Sequence, residues 1–306
     1  MQIIVPQIEL SRYKSGDFIL RRASSRSAIP RKEPARAIRF PACATRLACE
    51  PIPPRRTLKS SMLSPLQTGL ATGLGALTTA GLALGGYAYA AMWPASGLFG
   101  PALRAPRRPG ELALTFDDGP NPAWTPQLLD HLAEHNIRAT FFLVGRYAQV
   151  VPDLVRRIQQ AGHLIGNHSW SHPNLAFTSA AKVREELRLT QDTLAQITGQ
   201  PIRYFRPPFG ARRPCVLRTA RELGMEPVLW NAITNDWSEP SALRITLRLA
   251  TLIVRNQQRG FATNIVLHDG GHRALGANRS PSVTAAADLI RRYRYSHRFV
   301  TLDDWR

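Results

Sequence analysis

The stretch ELALTFDDGP, residues 111–120, decides how this chain folds and what it can do. Its first six residues predict a strand because they form a mostly apolar run. Asp117 and Asp118 follow at once, ahead of Gly119 and Pro120. Side chains of neighbouring residues on an extended chain point to opposite faces, so the two aspartates would diverge and take separate tasks. Asp-Asp-Gly-Pro in isolation is typical of a plain turn with a helix cap, and its meaning here depends on the remaining motifs.

Apolar strand-like runs alternate with longer helical segments from residue 111 onward. The predicted strands are ELALTF, RATFFLVG, HLIGNH, IRYFRP, EPVLWN, NIVLHD and RFVTL. Strands separated by helices of about 10–20 residues are typical of βαβ units and a parallel sheet. We therefore predict an α/β fold over residues 111–306, a distorted (β/α) barrel with about seven parallel strands. The glycine-rich phosphate loops of nucleotide-binding folds are absent from the sequence.

Five polar clusters follow predicted strands of this barrel. In such a fold, functional residues lie on the loops after the carboxyl ends of the strands. The clusters are Asp117 with Asp118, His168 with His172 in NHSWSH, Arg206 with Phe209 in RPPFG, Asp236 with Trp237 in NDW, and His268 with Asp269 in VLHDGG. Solubility alone does not explain five clusters on one rim, so we predict that they form an active site.

His168, His172 and one carboxylate make a His₂-Asp donor set. Three protein ligands with a further position for water are the catalytic pattern of zinc. We therefore predict one divalent metal ion, zinc first, with cobalt, manganese, nickel or iron as alternatives. A metal lowers the pKa of its bound water from about 16 towards 7. One aspartate would then bind the metal while the other removes a proton from that water.

Taken together, the motifs resemble those of the polysaccharide deacetylase family, the NodB-homology or carbohydrate esterase family 4 proteins. TFDDGP and HSWSH are jointly specific, and RPPFG, DW and LHD follow in the family's order between about Glu111 and Leu302. The resemblance implies a distorted (β/α) barrel and a metal-dependent hydrolase that removes N-acetyl groups from an amino-sugar polysaccharide such as peptidoglycan or chitin. The N-acetylated polysaccharide is then the implied partner, and neither a nucleic acid nor a protein partner is expected.

The resemblance also implies roles for single residues. Asp117 matches the general base, and Arg206 is similar to the arginine that orients it. His268 matches the general acid that protonates the leaving amine, and Asp236 the carboxylate that holds this histidine. A carboxylate partner raises the pKa of a histidine, which is the direction that a general acid needs.

Further roles concern the metal and the acetyl group. The residues that match the family's metal ligands are Asp118, His168 and His172. Phe209 would offer its backbone N–H to the oxyanion, and Trp237 and Leu267 would line the pocket for the acetyl methyl. Ile233 is a departure, because family members often have an acidic residue there, and it bears on substrate contacts more than on catalysis.

Two other functions stay open at this point. One keeps the chemistry and changes the substrate, giving an esterase that removes O-acetyl groups from an acetylated polysaccharide. The other is a non-catalytic carbohydrate-binding protein of the cell envelope with a degenerate site. Every catalytic residue type is present in the sequence, which counts against a degenerate site.

The residues before the barrel differ sharply in composition. The chain has a formal charge of +19, and residues 1–59 carry 13 basic and 4 acidic side chains. Because residues 1–60 show no apolar periodicity, we predict a disordered basic tail. Only four basic residues are lysines and no nucleic-acid motif is present, so compositional bias explains the charge better than a nucleic-acid site. Cys43, Cys49 and Cys215 form no even disulfide framework.

An uncharged segment, mostly of Leu, Ala, Gly and Thr, follows the tail over residues 61–93. About 20 such residues are enough to cross a bilayer, and the preceding Arg55, Arg56 and Lys59 favour a cytoplasmic amino terminus. We predict a single-pass membrane anchor with the catalytic domain outside the cytoplasm. A cleaved signal peptide ending near AYA, residues 88–90, and hence a secreted protein, is the alternative, and a buried soluble helix is a third. Residues 94–110 are predicted to form a linker.

Overall fold

The computed structural model describes residues 65–306, with side chains from residue 78 onward. These residues belong to one compact unit, Met62–Arg306. The tail predicted over residues 1–60 lies outside the described residues. The described chain alternates strands with helices, as the sequence predicts.

The strands form one sheet in which every pairing is parallel. Their bounds are β1 Glu111–Gly119, β2 Thr140–Leu143, β3 Leu164–Asn167, β4 Tyr204–Phe205, β5 Glu226–Pro227, β6 Ala232–Ile233, β7 Thr263–His268 and β8 Arg298–Val300. The order across the sheet is β5-β4-β3-β2-β1-β7-β6, with β8 paired to β1. Within the described residues β5 and β6 do not pair with each other, so the sheet is a curled, open barrel. The predicted distorted (β/α) barrel is confirmed.

β1 is the central strand, and it is buried along almost its whole length. Its apolar residues Leu112, Leu114 and Phe116 are each 1 % exposed, because neighbouring strands and helices cover both faces of the sheet. The register sets Asp117 beside His268 of β7, and Gly119 beside Leu143 of β2. The carboxyl ends of these strands therefore meet at the edge where the sequence predicts the active site.

The helices pack their apolar faces against the sheet. Their bounds are α1 Pro65–Met92, α2 Thr125–Glu134, α3 Gly145–Val150, α4 Pro152–Gln160, α5 Ala180–Thr198, α6 Pro214–Glu222, α7 Ala242–Gln258 and α8 Ser280–Tyr293, with short 3-10 helices at Pro208–Gly210 and Leu302–Trp305. In α7, for example, Ile245, Leu249 and Ile253 recur at intervals of four and are fully or almost fully buried. The sequence did not predict α3 or the two-residue strand β6.

The segment predicted as a membrane anchor contains α1. Among the described residues, no helix meets the length and hydropathy that crossing a bilayer requires, so the predicted transmembrane helix is not confirmed.

The last turn of α1 and the residues after it pack against the barrel at two places. The amide of Arg212 donates to the Ala91 carbonyl, and the Arg212 guanidinium donates to the carbonyls of Trp93 and Ser96. Further along, Leu103 forms a parallel bridge with Val228 next to β5. The segment predicted as a linker therefore contributes to the structured domain.

Candidate active site

The backbone turns sharply at the two aspartates. Asp118 has φ of 68°, in the left-handed region, and the register of β1 against β2 shifts between Asp117 and Gly119. The expectation of divergent side chains is therefore wrong, because it assumed an extended backbone. One Oδ of each aspartate lies near Nε2 of His168, at 3.9 Å for Asp117 and 3.5 Å for Asp118.

Two glycines allow this turn to pack closely against the loop after β7. A Cβ on Gly270 would lie 1.9 Å from the Asp118 carbonyl oxygen, and a Cβ on Gly119 would lie 2.7 Å from both carboxylate oxygens of Asp269. Asp269 is completely buried, and burial raises its pKa to about 7. It accepts a hydrogen bond from the Thr125 hydroxyl. Gly119 is thus required for close approach rather than for a positive φ.

Asp118, His168 and His172 converge as the predicted metal ligands. Their ligand atoms all lie within 4.8 Å of one another, and all three side chains are buried. Asp118 Oδ1 is 3.0 Å from Nε2 of His172 and has no hydrogen-bond partner among the described residues. His168 donates from Nδ1 to the Arg206 carbonyl oxygen at 2.8 Å, which leaves the lone pair of Nε2 directed at the donor set. The geometry fits a divalent metal ion.

The protonation states of this cluster also suit a metal. Burial alone would raise the pKa of Asp118, but the surrounding imidazoles of His168, His172 and His272 hold it well below its usual value. Burial lowers the pKa of His172, in spite of the opposing effect of Asp118. An ionised carboxylate beside a neutral imidazole is the state in which these side chains bind a metal ion.

Glu186 of α5 holds the loop that carries the two histidines. Its carboxylate oxygens accept from the Ser171 amide at 2.7 Å and the Ser171 hydroxyl at 2.8 Å. The Ser169 hydroxyl accepts from the His172 amide at 3.1 Å, which closes the turn. Glu186 was not predicted from the sequence. Its signal was available, because Glu186 lies on the apolar face that includes Val183 and Leu187, where a carboxylate needs partners.

Arg206 lies beneath Asp117 and is completely buried. It donates from one terminal nitrogen to Oδ1 of Asp117 and to the hydroxyl of Thr115, both at 2.7 Å. Its guanidinium also stacks over Phe142 at 4.1 Å. One oxygen of Asp117 is therefore fixed, and the other faces the imidazole of His168.

His268 forms the predicted pair with Asp236. Oδ1 of Asp236 accepts from Nδ1 of His268 at 3.0 Å, while Oδ2 accepts from the His268 amide and the Ser282 hydroxyl, each at 2.8 Å. Burial lowers the pKa of His268, but the charge and hydrogen bond of Asp236 outweigh it and the pKa rises to about 9. His268 is therefore protonated at neutral pH. Trp237 packs edge-on against its ring at 5.2 Å.

The ring of Phe209 packs edge-on against the ring of His172, with the two ring centroids 4.7 Å apart. Phe209 is 48 % exposed. Its φ of 58° places it in the left-handed region, which orients the peptide around it. Arg212 supports the same turn, since it donates to the Gly210 carbonyl at 3.0 Å.

A cavity of about 720 Å³ connects these groups. It falls within the roughly 300–1,000 Å³ of typical ligand sites. The predicted residues that line it are Asp117, Asp118, His168, His172, Phe209, Trp237 and His268. Leu267 does not line it, because its side chain is completely buried in the hydrophobic core. Trp230 and Ile233 provide apolar wall instead.

His272 also lines the cavity, although it was not predicted from the sequence. Its ring stacks on His172 at 4.4 Å, and its Nδ1 lies 3.6 Å from Asp118 Oδ2. In the sequence, only its position three residues after Asp269 indicates that His272 lies near the site.

Comparison with known proteins identifies relatives of this chain. Residues 104–228 match the family model described as polysaccharide deacetylase. A peptidoglycan-N-acetylglucosamine deacetylase of Bacillus cereus is 37 % identical over 202 residues, which cover 66 % of this chain and 70 % of that protein. A chitooligosaccharide deacetylase of Azorhizobium caulinodans is 37 % identical over 174 residues, which cover 56 % and 80 %.

A solved structure shares the fold. The crystal structure of a peptidoglycan N-acetylglucosamine deacetylase in complex with 4-naphthalen-1-yl-N-oxidanyl-benzamide superposes with a TM-score of 0.58 at 36 % identity. The match covers 65 % of this chain and 89 % of that chain.

Proposed function

Because the chain belongs to the polysaccharide deacetylase family, we propose that it hydrolyses N-acetyl groups on an amino-sugar polysaccharide, peptidoglycan or a chitin-like polymer. One observation carries the proposal. Asp117 and His268 lie side by side on β1 and β7, each held by an oppositely charged partner, at the metal-ligand cluster in one cavity. Amide hydrolysis needs a base, an acid and stabilisation of an oxyanion, and this arrangement supplies groups for all three.

Asp118, His168 and His172 would hold the divalent metal ion. When bound, the ion lowers the pKa of a water molecule and polarises the acetyl carbonyl. We infer zinc first from three protein ligands, with cobalt, manganese, nickel or iron as alternatives.

Asp117 acts as the general base in this proposal. Arg206 binds its Oδ1, so Oδ2 is free to accept a proton on the side that faces His168. The buried guanidinium also restricts rotation of the Asp117 side chain. The attacking water therefore meets an acceptor that is already oriented.

His268 acts as the general acid. Asp236 accepts a hydrogen bond from Nδ1–H of His268, so the proton on Nε2 is the one given to the leaving amine. The backbone N–H of Phe209 would donate to the oxyanion, and an oxyanion-hole donor contributes about 3–4 kcal/mol. Trp237 would contact the acetyl group from the cavity wall.

We also propose that the domain acts outside the cytoplasm, because a cell-envelope polysaccharide is found there. Whether the segment over residues 61–93 anchors the protein or is cleaved stays a prediction.

The test is acetate release by the full-length protein from chitin oligomers, peptidoglycan and acetylxylan. Asp117→Asn should reduce acetate release by at least 10³-fold, roughly the loss expected of an essential acid–base group, while metal content by atomic emission stays unchanged. The matched control is Asp130→Asn, which should retain activity because Asp130 is an exposed aspartate paired with Arg157. Retained activity in Asp117→Asn would refute the proposed base, and release from acetylxylan alone would identify an O-acetyl esterase.

A further inference from the structure

The loop between β7 and α8 forms a cationic wall of the active-site cavity. Its residues that line the cavity are Gly271, His272, Arg273, Ala274, Ala277 and Arg279. Asp117 and Asp118 are the only acidic residues among those that line the cavity. Asp117 is paired with Arg206, and Asp118 belongs to the metal-ligand cluster. His268, which also lines the cavity, is paired with Asp236, so the charges of Arg273 and Arg279 are the ones that no lining carboxylate balances.

The two arginines of this wall differ in what they contact. The Arg279 guanidinium already has hydrogen-bond partners within the protein, since it donates to the carbonyls of Gly270 at 2.5 Å and Trp237 at 3.3 Å. Arg273 is exposed and makes no hydrogen bond or ion pair with any described residue. Its guanidinium is thus available to a ligand in the cavity.

The backbone that carries Arg273 is fixed. The carbonyl of the preceding residue, His272, accepts from the Arg146 guanidinium at 2.5 Å and from the Tyr147 hydroxyl at 3.0 Å, both from α3. Arg279 holds Gly270 on the other side of the loop. A charged group on an anchored loop loses less conformational freedom when it binds than one on a mobile loop.

We propose that Arg273 binds a carboxylate on the sugar next to the one that loses its acetyl group, so that the preferred substrate is an anionic polysaccharide. This inference rests on the proposed deacetylase function and narrows its substrate class. A guanidinium binds a carboxylate through two parallel hydrogen bonds, which favours such a strand over a neutral one.

The test compares three strands as substrates of the full-length protein. One is a neutral chito-oligosaccharide, one alternates N-acetylglucosamine with its lactyl-ether derivative and carries free carboxylates, and one is that strand with its carboxylates amidated. We expect the wild type to have a lower KM for the carboxylate strand than for the amidated strand. Arg273→Gln should raise KM for the carboxylate strand about two- to fivefold, the upper range of a solvent-accessible charged pair.

Arg273→Gln should not change kcat on any of the three strands. It should also not change KM for the chito-oligosaccharide or for the amidated strand. Arg273→Lys should retain part of the preference. Arg218→Gln removes another exposed arginine, in α6 and outside the residues that line the cavity, and should change nothing. An equal KM of the wild type for the carboxylate and amidated strands would overturn the inference, as would an equal effect of Arg273→Gln on both. Absence of acetate from all three strands would instead refute the proposed function.

Discussion

Replacing Asp236 with Asn tests the assignment of His268 as general acid. The substitution keeps the size of the side chain but removes its charge and one of its two acceptor oxygens. Asp236 is the main cause that raises the pKa of His268 to about 9 from its ordinary value of 6.5. In Asp236→Asn, we expect the pKa of His268 to fall towards 6.5, because the charge of Asp236 no longer offsets the lowering of the pKa by burial.

The sign of the effect on activity follows from the role of the proton. A general acid must be protonated, so activity is present below its pKa and is lost as pH rises through it. With a pKa near 9, about nine-tenths of His268 is protonated at about pH 8, whereas with a pKa near 6.5 only about 3 % is. Protonation alone therefore predicts about a 30-fold loss of kcat/KM at about pH 8, or about 2 kcal/mol.

The assay is a pH profile of kcat/KM for acetate release, with the imidazole titrated in parallel by NMR. The alkaline limb of the profile should move down by up to about 2.5 pH units in Asp236→Asn. At about pH 6 the variant should recover most of the wild-type rate, because His268 is then protonated in both proteins. An alkaline limb at the wild-type pH in Asp236→Asn would refute the assignment, as would an equal loss at every pH.

Two other substitutions test how the site is supported. Glu186→Gln removes the charge that holds the loop between the histidine ligands, so metal affinity, measured by competition with a chelator, should fall about 10–100-fold. The control, Glu185→Gln at an exposed position, should not change the metal affinity. Arg212→Met releases the turn around Phe209, so kcat should fall about tenfold with KM unchanged, and Arg212→Lys should recover part of kcat. Unchanged metal affinity in the first variant, or unchanged kcat in the second, would contradict the proposed support.

The order of strands and helices could be predicted from the sequence because apolar runs and amphipathic periods are local signals. The predicted strand RATFFLVG was too long, because Val144 and Gly145 continue the apolar run although β2 is only Thr140–Leu143 and α3 begins at Gly145. The helix α3 has six residues, too few for a clear period. The apolar face of α5 indicated that Glu186 needs a partner, but only the fold shows that this partner is Ser171.

Backbone conformation is the part of the site that no sequence pattern could give. Five non-glycine residues in the described chain have a positive φ, and four of them lie at the site: Asp118, Ser169, His172 and Phe209. A left-handed conformation costs such a residue about 1–2 kcal/mol, so a glycine would relieve the backbone at each position. At Asp118 and His172 a glycine would also remove a metal ligand. The chain therefore retains side chains in unfavourable backbone conformations where the proposed chemistry needs them, which is difficult to explain for a degenerate carbohydrate-binding site.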